Sequence, residues 1–150
     1  MSVSAKDFFS SSEQKEIISA IQNAELDTSG EVRVHIENIC KGEVLDRAAF
    51  VFKQLGMEKT DLRNGVLIYL AIKHRKFAII GDKGINLVVP GGFWDAIHRD
   101  MLESFRRNEF CTGLCKAIEA VGENLKKYFP YKKEDVNELS DNISFGEDRG

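Results

Sequence analysis

The feature that most constrains the fold is a continuously apolar segment in the middle of the chain. Residues 65–72 read Gly-Val-Leu-Ile-Tyr-Leu-Ala-Ile. This segment is far shorter than the roughly 20 apolar residues that span a bilayer. A strand that is covered on both faces lacks the usual alternation of apolar and polar side chains. The segment therefore predicts a central strand in a layered α/β fold.

Two further strands are predicted around this segment. After the basic break Lys73-His74-Arg75, residues 76–81 read Lys-Phe-Ala-Ile-Ile-Gly. The short break predicts an antiparallel hairpin whose basic tip faces solvent. Residues 31–36 follow a polar turn at residues 27–30 and alternate, with Val32, Val34 and Ile36 on one side. They predict a first strand with one buried face.

Four segments have apolar residues at helical spacing. The first follows Ser10, Ser11 and Ser12, which offer two capping boxes, and the second ends at Gly56. The third spans residues 93–107, and the fourth spans residues 111–128 before Pro130. Helices on both faces of a small mixed sheet give a three-layer αβα sandwich. We expect one domain over residues 1–130 and an acidic, partly ordered tail over residues 131–150.

Composition narrows the class of protein. A chain of 150 residues with 43% apolar residues can bury one core, and its 21 basic and 24 acidic residues are mixed along the chain. We therefore expect no nucleic-acid partner. No secretory leader is indicated, so we expect a cytoplasmic protein with no membrane insertion. We also expect it to be a monomer. Cys40, Cys111 and Cys115 form an odd set without metal spacing. Free, packed thiols are favoured over a Cys111–Cys115 redox pair.

Standard catalytic motifs are absent from the sequence. It contains no G-x-S-x-G, P-loop, G-x-G-x-x-G or H-E-x-x-H pattern. His35, His74 and His98 are scattered over a strand, the hairpin tip and a helix. For each of them a surface or core-edge role is favoured over catalysis or metal ligation.

Polar loops flank the predicted hairpin and suggest a cation site. Asp61 and Asn64 precede its first strand, while Asp82 and Asn86 follow its second strand. The start of one hairpin strand and the end of the other lie at the same edge of a sheet, so these loops can meet. Their oxygens suit Ca²⁺ or Mg²⁺, and the neighbouring glycines let backbone carbonyls turn inward.

Two more carboxylates are candidates for the same site. Glu31 opens the first strand and Asp100 lies on the third helix, so both reach the loops if the order of the strands allows it. The alternative is that Asp and Asn only form turns by bonding the local backbone. Residue types alone favour that alternative, and the spacing is not that of an EF-hand.

The order of several short motifs resembles the TPM domain family. Residues 28–34 read T-S-G-E-V-R-V, residues 64–70 read N-G-V-L-I-Y-L and residues 75–81 read R-K-F-A-I-I-G. The family typically has T-G-A-E, N-N-G-V-L-L-L and R-K followed by an apolar residue and G-Y-G-L-E, in that order. The stretch from Phe105 to Leu114 resembles the family's F-x-x-G-x-Y-x-x-G-L, and the resemblance covers residues 10–128.

This resemblance implies a fold and a ligand. TPM domains are αβα sandwiches, and some members bind divalent metal at crossing loops beside the sheet. Glu31 matches the glutamate of T-G-x-E, Asp61 and Asn64 match the loop before N-G-V-L-L, and residues 82–86 match the G-Y-G-L-E loop. Here that loop is one residue longer and Asn86 replaces a carboxylate. Many relatives carry a signal peptide and a membrane helix, whereas a stand-alone cytoplasmic form is expected here.

Three functions follow as hypotheses. The first is a non-enzymatic module in which Ca²⁺ or Mg²⁺ orders two loops and so changes a surface read by a protein partner. The second is a metal-dependent phosphatase, because plant thylakoid relatives are linked to acid phosphatase activity. The third is a plain interaction domain whose acidic tail binds a partner.

Overall fold

One mixed sheet of four strands forms the centre of the molecule. The computed structural model describes residues 4–130 and 143–146. The strands are β1 Glu31–Glu37, β2 Gly65–Ala71, β3 Lys76–Gly81 and β4 Ser144–Phe145, in the spatial order β3-β2-β1-β4. β1 is parallel to β2 and to β4, and β3 is antiparallel to β2. The predicted hairpin is confirmed, and its tip residues His74 and Arg75 are exposed.

Six helices flank the sheet in the described part of the chain. They are α1 Ala5–Phe8, α2 Ser11–Glu25, α3 Val44–Gln54, α4 Lys83–Asn86, α5 Phe93–Arg106 and α6 Phe110–Tyr128, with a 3-10 turn at Met57–Lys59. The four long helices were predicted from sequence, whereas α1, α4 and β4 were not. Within the described ranges, none of these helices is long and apolar enough to cross a membrane.

Local signals explain where two of the helices begin and end. Ser10 caps α2, since its side chain accepts from the backbone N–H of Glu13 while the Glu13 carboxylate accepts from the N–H of Ser10. Beyond α3, Gly56 has a φ of 71° in the left-handed region. Glycine adopts that region without a steric cost, so the chain can turn there towards β2.

Two apolar cores cover the two faces of the sheet. The larger core joins Val32, Val34 and Ile36 of β1 to buried residues of α2, α5 and α6. On the opposite face, Leu67 and Tyr69 of β2 pack with buried residues of α3. All seven residues of β2 are buried, which confirms the central strand and the αβα layers.

β1 differs from its prediction on one face. The apolar face is buried as expected, but Glu31, His35 and Glu37 on the opposite face are also at most 5% exposed. Charged side chains are rarely buried without partners because desolvation is costly. For Glu37, the partners are Arg47 and Tyr69, which sequence periodicity does not reveal.

The predicted tail falls largely outside the described residues. Residues 131–142 and 147–150 are not described, so the prediction of a partly ordered tail stays a prediction there. Ile143 is 8% exposed and joins the larger core. Ser144 and Phe145 pair with His35 and Ile36, adding a fourth strand beside β1.

The three cysteines are free thiols, as predicted. The Cys111 sulfur lies 3.3 Å from Oε2 of Glu16. Burial, together with that neighbouring carboxylate, raises the pKa of Cys111 far above the ordinary thiol value. Because the thiolate is the reactive form, Cys111 is a packing residue near neutral pH.

Candidate functional site

Three loops meet at one end of the sheet, and we call this end the loop rim. They are residues 26–30 before β1, residues 60–64 before β2 and residues 82–86 after β3. The N–H of Glu31 donates to the carbonyl of Asn64 over 3.4 Å, and the N–H of Gly84 donates to that of Arg63 over 2.8 Å. The two loops that flank the hairpin therefore do meet, as the sequence predicted.

The contact between these two loops depends on a glycine. A Cβ atom at Gly84 would lie 2.0 Å from the carbonyl oxygen of Leu62 and 2.6 Å from that of Arg63. Both distances are far below van der Waals contact, and the opposing atoms belong to the backbone. Gly84 therefore allows the loops to approach closely, so that their carbonyl groups lie beside α4.

Asp82 is the most completely bonded carboxylate of the loop rim. It is 7% exposed, and its oxygens accept from Nε of Arg63 over 2.6 Å and from Nη2 over 2.9 Å. Oδ1 also accepts from the N–H of Lys83 over 2.8 Å, which caps α4. The hydrogen bond to Asp82 raises the pKa of Arg63, so the guanidinium stays charged.

Further oxygens of the loop rim are buried. Oγ1 of Thr60 and Oε2 of Glu58 are inaccessible to solvent and make no hydrogen bond with another described residue. The charge of Glu58 also acts on Arg63, so this guanidinium lies in the field of two carboxylates. Carboxylate, hydroxyl and carbonyl oxygens are the donors that hard cations prefer. The sequence prediction did not include Glu58, because it took its candidates from residues 60–65, and the structure places Glu58 in a short 3-10 turn just before them.

Two of the predicted ligands have structural roles. Asn64 is 2% exposed, and its Nδ2 donates to Oγ of Ser29 over 3.4 Å. Asn86 donates from Nδ2 to the carbonyl of Gly81 over 2.9 Å and accepts at Oδ1 from the indole of Trp94 over 2.8 Å. Asn64 thus joins two loops, and Asn86 fixes α4 between β3 and α5.

The other three predicted ligands lie in different surroundings. Asp61 is exposed in the loop before β2. Glu31 is buried at the loop rim, where it pairs in register with Gly65. Asp100 is exposed and lines a groove between α5 and α6 together with Lys116. Residues 4–130 and 143–146 contain no group of three or more His, Cys, Asp or Glu that could hold a metal ion. A cation at the loop rim therefore needs donors of mixed kinds.

A second polar site, which we call the Glu37 cluster, lies at the opposite end of the sheet and comprises Glu37, Arg47, Tyr69 and His35. The Glu37 carboxylate accepts from Nε of Arg47 over 2.7 Å and from Nη2 over 2.8 Å. The Tyr69 hydroxyl donates to the same carboxylate, and Nε2 of His35 lies 3.3 Å from it. Nδ1 of His35 lies 3.0 Å from Oγ of Ser144 on β4.

The Glu37 cluster is strongly ionic. Burial by itself raises the pKa of Glu37, but hydrogen bonds from Arg47, His35 and Tyr69 outweigh burial and hold this pKa far below the ordinary range. Burial and the neighbouring Glu37 raise the pKa of Tyr69, so the phenol stays protonated. The cluster therefore joins β1, β2 and α3 through one carboxylate.

The sequence carries one signal for this cluster. Glu31, Arg33, His35 and Glu37 alternate with the apolar residues of β1, so they share a face of the sheet. Such a stripe ordinarily indicates a solvent-facing surface. Glu37 can be buried there because Arg47 of α3 pairs with it, and the sequence does not give the position of Arg47.

Comparison with known proteins identifies relatives by sequence and by structure. The family model described as the TPM domain matches residues 2–124. No curated protein matches the chain. The NMR structure of the BA42 protein from the psychrophilic bacterium Bizionia argentinensis is 47% identical, with a TM-score of 0.87. The match covers 94% of this chain and 97% of that one.

Two more distant structures share the fold. The N-terminal domain of a protein from P. gingivalis is 19% identical with a TM-score of 0.69, over 84% of this chain and 83% of that one. The N-terminal domain of the cg2496 protein from Corynebacterium glutamicum is 15% identical with a TM-score of 0.64, over 87% and 81%. At these identities the likeness concerns the arrangement of helices and strands.

Proposed function

The chain belongs to the TPM domain family, and we propose that it is a regulatory or interaction module whose loop rim binds a divalent cation. The observation that carries this proposal is the ion pair between Arg63 and Asp82 at the loop rim. Asp82 is a buried carboxylate whose positive partner is a side chain, Arg63, that is itself 34% exposed. A divalent cation can therefore replace the guanidinium without opening the core.

The donor chemistry of the loop rim suits a hard cation. Asp82 would be the main ligand, with the Thr60 hydroxyl and the Glu58 carboxylate as buried oxygens close in sequence to Arg63. Asp61 and backbone carbonyls of the same loop would complete the shell, with Glu31 at the base of β1. Asn64, Asn86 and Asp100 are less suited, because the first two already join elements and the third lies between α5 and α6.

Ca²⁺ is the expected ion rather than Mg²⁺. Ca²⁺ accepts six to eight oxygens in flexible geometry, whereas Mg²⁺ requires a near-ideal octahedron. The loop rim offers carboxylate, hydroxyl and carbonyl oxygens on loops. Such a set suits the flexible coordination of Ca²⁺ better than the octahedron of Mg²⁺. Because the ion must displace Arg63, we expect weak binding, with a Kd of about 10⁻⁴–10⁻³ M.

The regulatory effect follows from linkage. An ion that binds the ordered arrangement of the loops stabilises that arrangement relative to all others. When Arg63 leaves Asp82, its guanidinium becomes available at the surface, so the charge presented by the loop rim changes together with its order. A protein partner that reads this surface would then respond to the ion concentration.

Titration of the full chain with CaCl₂, followed by two-dimensional NMR and calorimetry, tests the proposal. The amides of residues 60–64 and 82–86 should shift together. Asp82→Asn should abolish these shifts, whereas Asp100→Asn, which removes an exposed carboxylate elsewhere, should leave them unchanged. Unchanged spectra at millimolar Ca²⁺ would refute cation binding.

A second pair of variants tests the displacement of Arg63. Arg63→Gln should tighten Ca²⁺ binding about two- to fivefold, because the ion no longer competes with the guanidinium for Asp82. Arg106→Gln removes the same charge from an exposed position on α5 and should have a smaller effect. Equal effects of the two variants would mean that overall charge, rather than the Asp82 partner, sets the affinity.

Metal-dependent phosphatase activity stays a prediction. A bound metal would polarise a phosphoryl oxygen and activate water. Turnover of a generic phosphomonoester that requires Ca²⁺ or Mg²⁺ and is lost in Asp82→Asn would establish it. Ca²⁺ binding without turnover would leave the regulatory module as the function.

A further inference from the structure

The outer edge of β3 has no neighbouring strand among the described residues. β3 is the outermost strand at its side of the sheet, and its partner on the inner side is β2. The N–H of Asp82 donates to the carbonyl of Gly65 over 2.9 Å, in line with the β2–β3 register. In an antiparallel pair the backbone N–H and C=O groups of every second residue bond to the partner strand, so those of Ile80 and Ala78 point towards β2. The backbone groups of Phe77 and Ile79 therefore point outward.

These outward groups lack a backbone partner within the described residues. No described residue donates to, or accepts from, the N–H and C=O groups of Phe77 and Ile79 at this edge. The next outward carbonyl, that of Gly81, is bonded by the side chain of Asn86 over 2.9 Å. The available edge is thus a short segment, closed at one end by Asn86 and long enough for a strand of a few residues.

A groove of about 510 Å³ follows this edge. Its floor is β3 from Phe77 to Gly81, one wall carries Leu45 of α3, and the other carries Trp94 and His98 of α5. The volume is within the range of ligand clefts, about 300–1,000 Å³. Leu45 is 59% exposed although it is a large apolar residue in the groove wall. Side chains that alternate along an added strand would contact α3 on one face and α5 on the other.

The shape and charge of the groove select its occupant. A second copy of the domain would bring its own α3 and α5 walls against these walls, whereas a single extended chain fits between them. Asp95 is the charged residue among those lining the groove, and no described Lys or Arg lines it. A positively charged residue on the occupant would complement Asp95.

We propose that β3 and its two flanking helices form a docking groove for an extended protein segment with alternating apolar residues and at least one basic residue. The segment would add to the sheet beside β3 through main-chain hydrogen bonds, which is the mode of recognition known as strand addition. The groove walls would supply specificity. This proposal is independent of cation binding at the loop rim.

The probe is a capped peptide of about eight residues in which valine alternates with threonine and lysine stands at each end. In NMR titrations of the full chain it should shift the amides of Phe77 and Ile79 and the indole of Trp94. Hydrogen exchange at those two amides should slow about tenfold at saturation, because their N–H groups become bonded. One N-methylated peptide carries the methyl group on every valine and another carries it on every threonine, so each blocks one edge of the added strand, and at least one of the two should fail to bind.

Two variants and one control peptide define the groove. Leu45→Gln should weaken binding about tenfold, whereas Leu26→Gln, at another exposed leucine of equal exposure, should not change it. Replacing the terminal lysines by glutamates should weaken binding to the wild type about threefold and should have less effect on Asp95→Asn. Leu45 and Leu26 are both exposed, so neither substitution should prevent folding.

Three outcomes would overturn the proposal. Undiminished binding of both N-methylated peptides would exclude strand addition, and no binding at millimolar peptide would exclude the groove as a peptide site. If sedimentation showed a dimer whose Phe77 and Ile79 amides are protected without peptide, the edge would belong to a second copy.

Discussion

Two arginine–carboxylate pairs lie at opposite ends of the same sheet and differ in how completely the carboxylate is bonded. Glu37 accepts from both donors of Arg47, from the Tyr69 hydroxyl and from His35. At the other end, Asp82 is bonded by Arg63 and the backbone N–H of Lys83. Both carboxylate side chains are 6% exposed, so burial of the acid does not distinguish them.

The difference lies in what surrounds the arginine. Arg47 comes from α3, and its partner carboxylate is anchored to two strands. Arg63 comes from a loop, and its backbone has a φ of 50°, in the left-handed region that residues other than glycine rarely adopt. Glu37 is bonded by three side chains from the strands and α3, whereas the one charged partner of Asp82 is a partly exposed arginine from a loop, which a cation could replace. The comparison therefore gives the Glu37 cluster a structural role and motivates the cation site proposed at the loop rim.

The largest expected effect comes from removing the Glu37 charge. Glu37→Gln removes the negative charge that neutralises Arg47 and replaces one acceptor oxygen by an NH₂ donor, so the free energy of unfolding should fall by about 3–5 kcal/mol. Urea denaturation of this variant beside Asp82→Asn measures the contrast. If both substitutions lowered the free energy of unfolding equally, the two carboxylates would be equivalent and the comparison would fail.

An intermediate effect should be visible in acid. The pKa of Glu37 is lower in the folded chain than in the unfolded chain, so its contribution to stability is fully present above the unfolded value, roughly 4.3, and is lost as the pH falls below it. The urea midpoint of the wild type should therefore fall more steeply below that pH than the midpoint of Glu37→Gln. Parallel curves would show that other carboxylates dominate acid unfolding.

The smallest expected effect on stability belongs to Arg63. Without Ca²⁺, Arg63→Gln should change the urea midpoint less than Arg47→Gln, because Arg63 is the more exposed of the two arginines and Asp82 keeps its hydrogen bond from the N–H of Lys83. The same variant should show the increased Ca²⁺ affinity described above. A large loss of stability in Arg63→Gln would mean that this arginine is a structural residue, which would remove the basis for exchange.

The sequence predicted the architecture through features that depend on neighbours in the chain. The apolar run of β2, the capping box at Ser10 and the turn at Gly56 each report a local requirement, and all three are confirmed. The sequence predicts a loop at residues 81–86 where the structure has α4, because a single turn of helix shows no apolar periodicity. It forms because Asp82 caps it, and Asp82 is fixed by a residue from another loop.

The candidate site was predicted in outline only. The meeting of the two loops followed from the predicted hairpin, because antiparallel pairing places the start of β2 and the end of β3 at the same end of the sheet. The partners of each side chain did not follow, because they depend on distances between segments remote in sequence. Asn86 bonds Trp94, whereas Asp82 bonds Arg63. Residue type alone did not distinguish the roles of Asn86 and Asp82.

The pairing of β4 with β1 has a consequence for how the chain is made. Ser144 bonds His35 across a separation of 109 residues, and the N–H of Gly146 donates to the carbonyl of Ile36. Contacts this distant form late, because a long intervening chain must be ordered first. During synthesis on the ribosome, the hairpin and its helices can therefore assemble before β4 has emerged. The outer edge of β1 is paired only after residues 144–145 have been made.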